Sequence, residues 1–135
     1  MEITKELILE RFQADRFATQ VAGVEIVDAA VNYAKVKLNV EPRHFNAVGI
    51  VQGGALFTLG DFAFAVASNA GQEETVVAIE CNLSFMKPTT GGALFAEAKL
   101  ISRSKSLCSY DVLIMNEKNE LVAKFYGRGF VRRPK

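Results

Sequence analysis

The sequence has little of several residue types, with no tryptophan, one histidine, two cysteines and three prolines among 135 residues. Cys81 and Cys108 lie far apart, without a CxxC motif or a neighbouring histidine, so we predict two reduced thiols and no metal site. The 16 basic and 15 acidic residues nearly cancel, and no long run of like charge is present. This balance argues against nucleic acid as a partner.

Long hydrophobic runs are also missing. The longest uncharged stretch is interrupted by Asp61 and is shorter than the about 20 residues that a membrane span needs. The first residues, MEITKELILERF, are charged throughout and lack the apolar centre of a signal peptide. We therefore expect a cytoplasmic protein with no membrane partner. Half of the residues are hydrophobic, and the length fits one domain over residues 1–135.

Hydrophobic periodicity is what the sequence does contain. Leu7, Ile8 and Phe12 recur at helical spacing behind a Thr4 cap, and a second short helical piece is expected before Gly23. Apolar and polar residues then alternate as in strands, at residues 24–40, 75–88, 93–104, 107–116 and 121–133. In the stretch that begins at residue 75, the alternation predicts one shared face for Val77, Ile79, Cys81, Leu83 and Phe85. Turn residues predict that these last four strands follow one another as hairpins.

The stretch from Gly53 to residue 70 is apolar on all sides apart from Asp61, and Gly71 follows it. These features predict one long helix that lies inside the protein. Because no other element is apolar enough to cover the buried face of the sheet, we expect the sheet to wrap around this helix. The predicted fold is α+β, a hotdog fold in which a curved antiparallel sheet surrounds one central helix. Uncovered strand edges predict a homo-oligomer.

Asp61 is the first candidate for chemistry, because burial makes a carboxylate costly to ionise and perturbed acids cluster in active sites. A structural role, with backbone donors bonded to the carboxylate, is the alternative. Gly53 and Gly54 open the helix, where free N–H groups could polarise a carbonyl, although a glycine pair can also serve chain reversal alone. Asn46 could orient a water or a substrate, or could satisfy its own turn.

Together, the residues HFNAVGIVQGGALFTLGDFAFAVASN resemble the signature of hotdog-fold acyl-CoA thioesterases, most closely the PaaI type linked to phenylacetate catabolism. The resemblance is carried by Asn46, Gly49, Gly53-Gly54 and Asp61, and it continues through NLSFMKPTTGG and LISRSKSL. It implies hydrolysis of aryl or medium-chain acyl-CoA thioesters to a free acid and CoA, with CoA entering as part of the substrate and no separate cofactor.

The resemblance also implies a role for each matching residue. Asp61 would attack the thioester carbonyl or activate a water, and these two mechanisms stay open. Gly53 would donate its backbone N–H to the carbonyl oxygen, and Asn46 would position substrate or water. In the family, the Asp comes from one subunit and the Asn and Gly from its partner. This implies an active site at a dimer interface, in a dimer or a dimer of dimers.

Position 52 departs from the family pattern, which commonly has His-Gly-Gly where this chain has Gln52-Gly53-Gly54. A glutamine can form hydrogen bonds and shape the loop, but it cannot take part in proton chemistry. A non-catalytic acyl-CoA binding protein on the same fold is therefore an alternative.

Other residues are candidates for substrate binding. Gln52, Gly54 and His44 lie near the expected mouth of the site, and Lys87, Arg103 and Lys105 could meet the phosphates of CoA. His44 also raises the alternative of a hydroxyacyl-thioester dehydratase, in which a loop histidine works with a helix carboxylate, and a purely structural role in the loop is a further alternative. Apolar residues that could line an acyl pocket, or belong to the core, are Phe45, Phe57, Phe62, Phe64, Phe85 and Met86.

Overall fold

The computed structural model describes residues 4–134. Helix α1 (Lys5–Phe12) is followed by a π-helical turn (Phe17–Ala22), strands β1 (Glu25–Ala30) and β2 (Tyr33–Asn39), a 3-10 turn (Pro42–His44), helix α2 (Gly53–Asn69), and strands β3 (Thr75–Phe85), β4 (Ala93–Arg103), β5 (Leu107–Asn116) and β6 (Leu121–Arg132). None of the helices in this range is long and apolar enough to cross a membrane.

Helix α1 begins as predicted, because the Thr4 side chain accepts a hydrogen bond from the Leu7 N–H at 3.2 Å. Its buried face is narrower than predicted: Ile8 and Phe12 are buried, whereas Leu7 is exposed. The Phe12 ring meets the Phe62 ring of α2 edge to face, with 6.1 Å between centroids. This contact fixes α1 and the turn after it against the middle of α2.

A six-stranded antiparallel sheet in the order β1-β2-β4-β5-β6-β3 packs against α2. The inner faces of its strands supply the core together with one helix, which confirms the predicted hotdog arrangement. The fully covered members of this core include Ala34, Val36, Leu38, Leu94, Ala96, Ala98, Tyr110, Val112, Ile114, Phe125, Leu59, Ala63 and Val66.

The expected hairpin between β3 and β4 is wrong. Strand β3 pairs with β6, and β4 pairs with β2 and β5, so the segment from Met86 to Gly92 carries the chain from one edge of the sheet to its interior. Pro88 and the two glycines that follow reverse the chain locally, but turn residues do not specify which strands pair. Strand β3 thereby becomes an edge strand.

The predicted shared face of β3 is also wrong in its first half. A bulge between Ala78 and Glu80 adds one residue to β3 and reverses the side-chain alternation. Val76 is consequently buried, whereas Val77 and Ile79 are exposed. Beyond the bulge, Cys81, Leu83 and Phe85 share a side as expected, because they pair with the residues of β6 that face α2.

Two glycines let α2 lie close to the sheet. A Cβ at Gly60 would be 2.8 Å from ring atoms of Phe125, and a Cβ at Gly127 would be 2.7 Å from the Phe64 ring. Phe64 and Phe125 are both buried, so neither ring has room to move. Helix and sheet therefore interlock through one glycine on each surface.

Candidate active site

The loop before α2 is organised by Asn46. Its Oδ1 accepts hydrogen bonds from the backbone N–H groups of Val48 at 3.0 Å and Ile50 at 3.2 Å. The Asn46 N–H donates to the Ile50 carbonyl at 2.8 Å, and Gly49 takes a left-handed φ of 85° within this loop. Among the described residues, the Asn46 amide nitrogen has no hydrogen-bond acceptor. The side-chain oxygen therefore stabilises the turn, and the two hydrogens on Nδ2 can be donated to a bound molecule.

Gln52 caps α2. Its Oε1 accepts a 2.6 Å hydrogen bond from the Gly54 N–H, and its carbonyl accepts from Ala55 at 2.9 Å and Leu56 at 3.3 Å. Within residues 4–134, the N–H of Gly53 has no acceptor. One backbone donor is thus left open at the positive end of a 17-residue helix, a position suited to an oxygen that carries negative charge.

A cavity of about 330 Å³ lies at this helix end. Two of the predicted catalytic residues, Asn46 and Gly53, line it together with Lys87, and the rest of the lining is mainly apolar. The remaining residues are Ile50, Val51, Leu56, Phe85, Met86, Pro88 and Thr89. Of the aromatic residues considered for an acyl pocket, Phe62 and Phe64 are core, and Phe85 lines this cavity. The site offers apolar space beside an amide and an open backbone donor.

Asp61 lies elsewhere on α2, half-buried. Burial raises the pKa of its carboxyl group, and the nearby charge of Asp15 raises it further. Burial likewise raises the pKa of the Cys81 thiol on β3 to about 11, with smaller contributions from Asp61 and Glu80. Eight helical positions separate Gly53 from Asp61, which places them about 12 Å apart along the axis. A single chain therefore does not bring Asp61 to the cavity at Gly53.

His44 is a structural residue in this chain. Its ring is buried, with Nδ1 accepting from the Glu41 N–H at 2.9 Å and Nε2 2.7 Å from the Ala22 carbonyl oxygen. These contacts correspond to a neutral ring that carries its proton on Nε2. Both nitrogens are occupied, which corrects the expectation that His44 binds substrate.

The three predicted cationic residues do not lie together. Lys87 borders the cavity, forms an ion pair with Glu120, and also lines a second, adjoining cavity of about 420 Å³. Lys105 lies in the turn between β4 and β5, next to Arg103 in sequence. Arg103 reaches the Ser68 carbonyl near the last turn of α2, so Arg103 and Lys105 belong to the helix end opposite Gly53.

Arg103 is occupied inside the protein. Its Nη1 donates to the Tyr110 hydroxyl at 2.9 Å and to the Ser68 carbonyl at 3.2 Å. The Tyr110 hydroxyl in turn donates to Asn32 Oδ1 at 2.6 Å. This network secures the carboxyl end of α2 to the sheet and corrects the expectation that Arg103 meets a phosphate of CoA.

Sequence reasoning missed Asp15, which precedes the π-helical turn and caps it by accepting a 3.1 Å hydrogen bond from the Ala18 N–H. Its backbone N–H donates to the Phe12 carbonyl at 3.1 Å, and Phe12 packs on Phe62, the neighbour of Asp61. No local pattern links residues 15 and 61. Tertiary packing of the π-helical turn and of Phe12 on α2 brings the two carboxylates near each other.

These parts combine a hotdog fold with an open backbone donor and an amide beside an apolar cavity, an arrangement that can polarise a carbonyl group. The profile of the thioesterase superfamily matches residues 48–123. Acyl-coenzyme A thioesterase PaaI of Escherichia coli is 34% identical over 107 residues, which is 78% of this chain and 76% of that protein.

Solved structures agree. The Escherichia coli PaaI protein of the phenylacetic acid degradation operon superposes with a TM-score of 0.84 at 29% identity, covering 93% of this chain and 90% of that one. A mutant of the phenylacetic acid degradation protein PaaI of Thermus thermophilus has a TM-score of 0.78 at 31% identity, covering 86% of this chain and 97% of that one. The chain therefore belongs to the thioesterase superfamily, is of the PaaI type, and is a thioester hydrolase.

Proposed function

We propose that this protein hydrolyses acyl-CoA thioesters, with aryl or medium-chain acyl groups, to the free acid and CoA in the cytoplasm. The observation that carries the proposal is the open Gly53 N–H beside Asn46 at the mouth of an apolar cavity. The name of the Escherichia coli relative supports acyl-CoA as the substrate. The reaction needs water and no separate cofactor.

In the proposed reaction, the carbonyl oxygen of the thioester accepts the Gly53 N–H, and negative charge grows on that oxygen as the carbonyl is attacked. Asp61 either takes a proton from an attacking water, or attacks the carbonyl carbon itself to form an acyl anhydride that water hydrolyses after CoA has left, which releases the acid and restores the carboxylate. The C–S bond then breaks, and CoA leaves as a thiolate that takes up a proton. The free Nδ2 hydrogens of Asn46 can hold the water or the substrate. Gln52 shapes the donor site and exchanges no proton.

A second copy of the chain completes the proposed site. The separation of about 12 Å between Gly53 and Asp61 along α2 is too large for both to reach one carbonyl carbon. Strand β3 is an edge strand whose Val77 and Ile79 are exposed, so it offers an unpaired and partly apolar edge. We therefore propose a dimer, or a dimer of dimers, in which Asp61 of one copy faces Gly53 of the other.

The polar end of CoA would extend from the first cavity into the adjoining one. The two cavities share Lys87, Pro88 and Thr89, and the second also contains Gly91, Gly92 and Lys118. Lys87 is exposed, so its ammonium group can leave Glu120 for a phosphate at little cost. Lys105 would contribute only if the second copy brings its β4–β5 turn to this place.

Thiol release from a panel of aryl- and alkyl-acyl-CoA thioesters tests the reaction. Asp61→Asn keeps the size of the side chain and removes the base or nucleophile, and Asp28→Asn, an exposed aspartate on β1, is the matched control. We expect turnover to be lost only in Asp61→Asn, with binding of CoA thioesters kept. Equal turnover in both variants would contradict the role of Asp61.

Mixed subunits test the shared site. Gly53→Pro removes the N–H at the first position of α2, where the helix backbone accepts proline, and it also displaces the Phe85 ring, whose Cζ would lie 2.9 Å from the new Cβ. Asp61→Asn and Gly53→Pro subunits should each be inactive, whereas their mixture after refolding should recover about a quarter of wild-type activity, since half of the dimers are mixed and each holds one intact site. No recovery despite demonstrated mixing would mean that each site belongs to one chain.

Gln52 keeps a second function open, that of an acyl-CoA binding protein without turnover. The observation in its favour is that position 52 caps the helix and supplies no titratable group. Tight binding across the panel without thiol release would support this alternative. The dehydratase hypothesis is weakened by the contacts of His44, because both of its ring nitrogens already bond to the backbone.

A further inference from the structure

The ring of Phe85 lies directly against Gly53. A Cβ at Gly53 would stand 2.9 Å from Phe85 Cζ and 3.3 Å from Cε1, closer than side chains pack. Phe85 ends strand β3, where it pairs with Ala123 of β6 and points to the same side as Cys81 and Leu83. The absence of a side chain at position 53 thus makes room for this ring.

The position of the ring constrains what the open donor can bind. An oxygen that accepts the Gly53 N–H must come within hydrogen-bond distance of the nitrogen, and the ring tip already covers the neighbouring Cα. The carbon next to the bound carbonyl would therefore contact the Phe85 ring. Phe85 is 63% exposed in the single chain, so its ring is not enclosed by the core of its own chain.

The lining of the cavity bears on the shape of the acyl group. The cavity of about 330 Å³ is open on the single chain, and the Phe85 ring forms part of its wall beside Gly53. Leu56 and Met86 extend the apolar lining beside Phe85. A flat, compact group can stack on the ring, whereas a long chain has to pass it.

We propose that Phe85 is the specificity-determining residue of the acyl site, favouring compact aryl and arylacetyl groups and restricting long alkyl chains. This inference rests on the proposed function at Gly53. It assigns Phe85 a role in selecting the acyl group. A purely structural role would be limited to packing at the end of β3.

The test compares kcat/KM for phenylacetyl-CoA and decanoyl-CoA in wild type, Phe85→Ala and Phe85→Leu. We expect the ratio of decanoyl to phenylacetyl activity to rise at least about tenfold in Phe85→Ala, and less in Phe85→Leu, which keeps an apolar side chain at the strand end. The control is Phe130→Ala, because Phe130 is 43% exposed and lies on β6 outside the residues that line the cavity. Its ratio should equal that of wild type.

Binding measurements separate this inference from the proposed function. Dissociation constants for the thioethers S-(2-phenylethyl)-CoA and S-decyl-CoA can be measured in the same variants, by calorimetry, whether or not any thioester is hydrolysed. A preference that moves toward the decyl compound in Phe85→Ala supports the inference. Unchanged preference in folded Phe85→Ala and Phe85→Leu overturns it. Absence of thiol release in wild type, with the binding preference still changed by the substitutions, overturns hydrolysis alone.

Discussion

Gln52 Oε1 lies 2.6 Å from the backbone nitrogen of Gly54, and this hydrogen bond decides which N–H at the start of α2 stays open. The side chain of Gln52 caps the Gly54 N–H, and the N–H groups of Ala55 and Leu56 donate to the Gln52 carbonyl. Of the first four N–H groups of α2, only that of Gly53 has no acceptor among the described residues. A neutral side chain performs this capping. Gln52 therefore adds no charge of its own to the positive end of the helix dipole.

Gln52→Glu should separate helix capping from catalysis. A carboxylate can accept the Gly54 N–H and interacts well with the helix dipole, so the free energy of unfolding should be equal to wild type or higher by about 0.5 kcal/mol. The same charge opposes an oxyanion at Gly53, and kcat should fall at least about tenfold. Urea unfolding and thiol release measure the two effects. Asn39→Asp, an exposed change at the end of β2, should alter neither; a Gln52→Glu enzyme with full kcat would remove Gly53 from the oxyanion site.

Asp15→Asn should lower the pKa of Asp61. The negative charge of Asp15 raises that pKa in the wild type, after the larger effect of burial. Asparagine keeps an oxygen to accept the Ala18 N–H, so the π-helical turn is retained. The acidic limb of the kcat/KM profile, where Asp61 gains its proton, should move to lower pH, because the charge that raises this pKa has been removed.

The matched control for this prediction is Asp28→Asn, which removes one negative charge on β1. Its pH profile should overlay that of wild type. A profile that moves equally in both variants would indicate a general effect of net charge, and an unmoved profile in Asp15→Asn would mean that the limb does not report Asp61.

Asp61→Asn should stabilise the protein at neutral pH. Because the pKa of Asp61 is raised in the folded state, the unfolded chain ionises first as pH increases. Wild-type stability contributed by this group is thus present below the ordinary aspartate pKa and is lost as pH rises to the higher folded value. The gain in stability from Asp61→Asn should therefore grow across that window, measured by urea unfolding from pH 3 to pH 7 at one protein concentration. A constant difference at every pH would contradict the raised pKa.

Gly60→Ala should destabilise the fold strongly. The added methyl group would stand 2.8 Å from the buried Phe125 ring, so helix and sheet would have to separate. We expect a cost of about 1–3 kcal/mol, despite the higher helix propensity of alanine. Gly91→Ala is the control, since a Cβ there would meet nothing within 4 Å. Thermal unfolding of the two variants gives the comparison, and equal Tm values would contradict the close approach.

Tyr110→Phe should weaken the carboxyl end of α2. The hydroxyl accepts from Arg103 at 2.9 Å and donates to Asn32 at 2.6 Å, and its loss leaves an already incompletely bonded guanidinium with one partner fewer. The expected cost is about 1–3 kcal/mol. Tyr126→Phe, which removes one 3.1 Å contact with Ser109, should cost less. Chemical denaturation of both variants tests the ranking, and the reverse order would show that the Arg103 network adds little.

The sequence predicts those features that depend on local pattern. The length and apolarity of α2, the Thr4 cap and the inward residues of β2 follow from spacing alone, and the buried helix requires a sheet around it. The pairing of β3 with β6 could not be predicted in this way. The turn residues after β3 are equally compatible with a hairpin and with a crossover to another strand. The bulge at Ala78 could not be predicted either, because one additional residue in the strand leaves the alternation of apolar and polar residues recognisable in the sequence.

The candidate site likewise combines features that the local sequence predicts with features that depend on tertiary packing. Asn46 lies in the loop just before Gly53 and Gly54, so the proximity of these residues at the start of α2 could be expected from the sequence. The contact of Phe85 with Gly53 and the nearness of Asp15 to Asp61 depend on tertiary packing. Arg103 and His44 have residue types suited to a substrate, but Nη1 of Arg103 and both ring nitrogens of His44 bond to groups inside the protein, and only Nη2 of Arg103 is buried without a partner among these atoms.

The position of β6 between β5 and β3 affects how the chain can fold during its synthesis. On the ribosome, α2 and β3 emerge before β6, the strand that pairs with β3 in the finished sheet. Until Leu121–Arg132 has been made, the most apolar helix of the chain lacks part of its cover and β3 has no neighbour. Final folding must therefore wait for these late residues, and a nascent chain stalled before them would present a bare helix and an unpaired strand to chaperones or to other nascent copies.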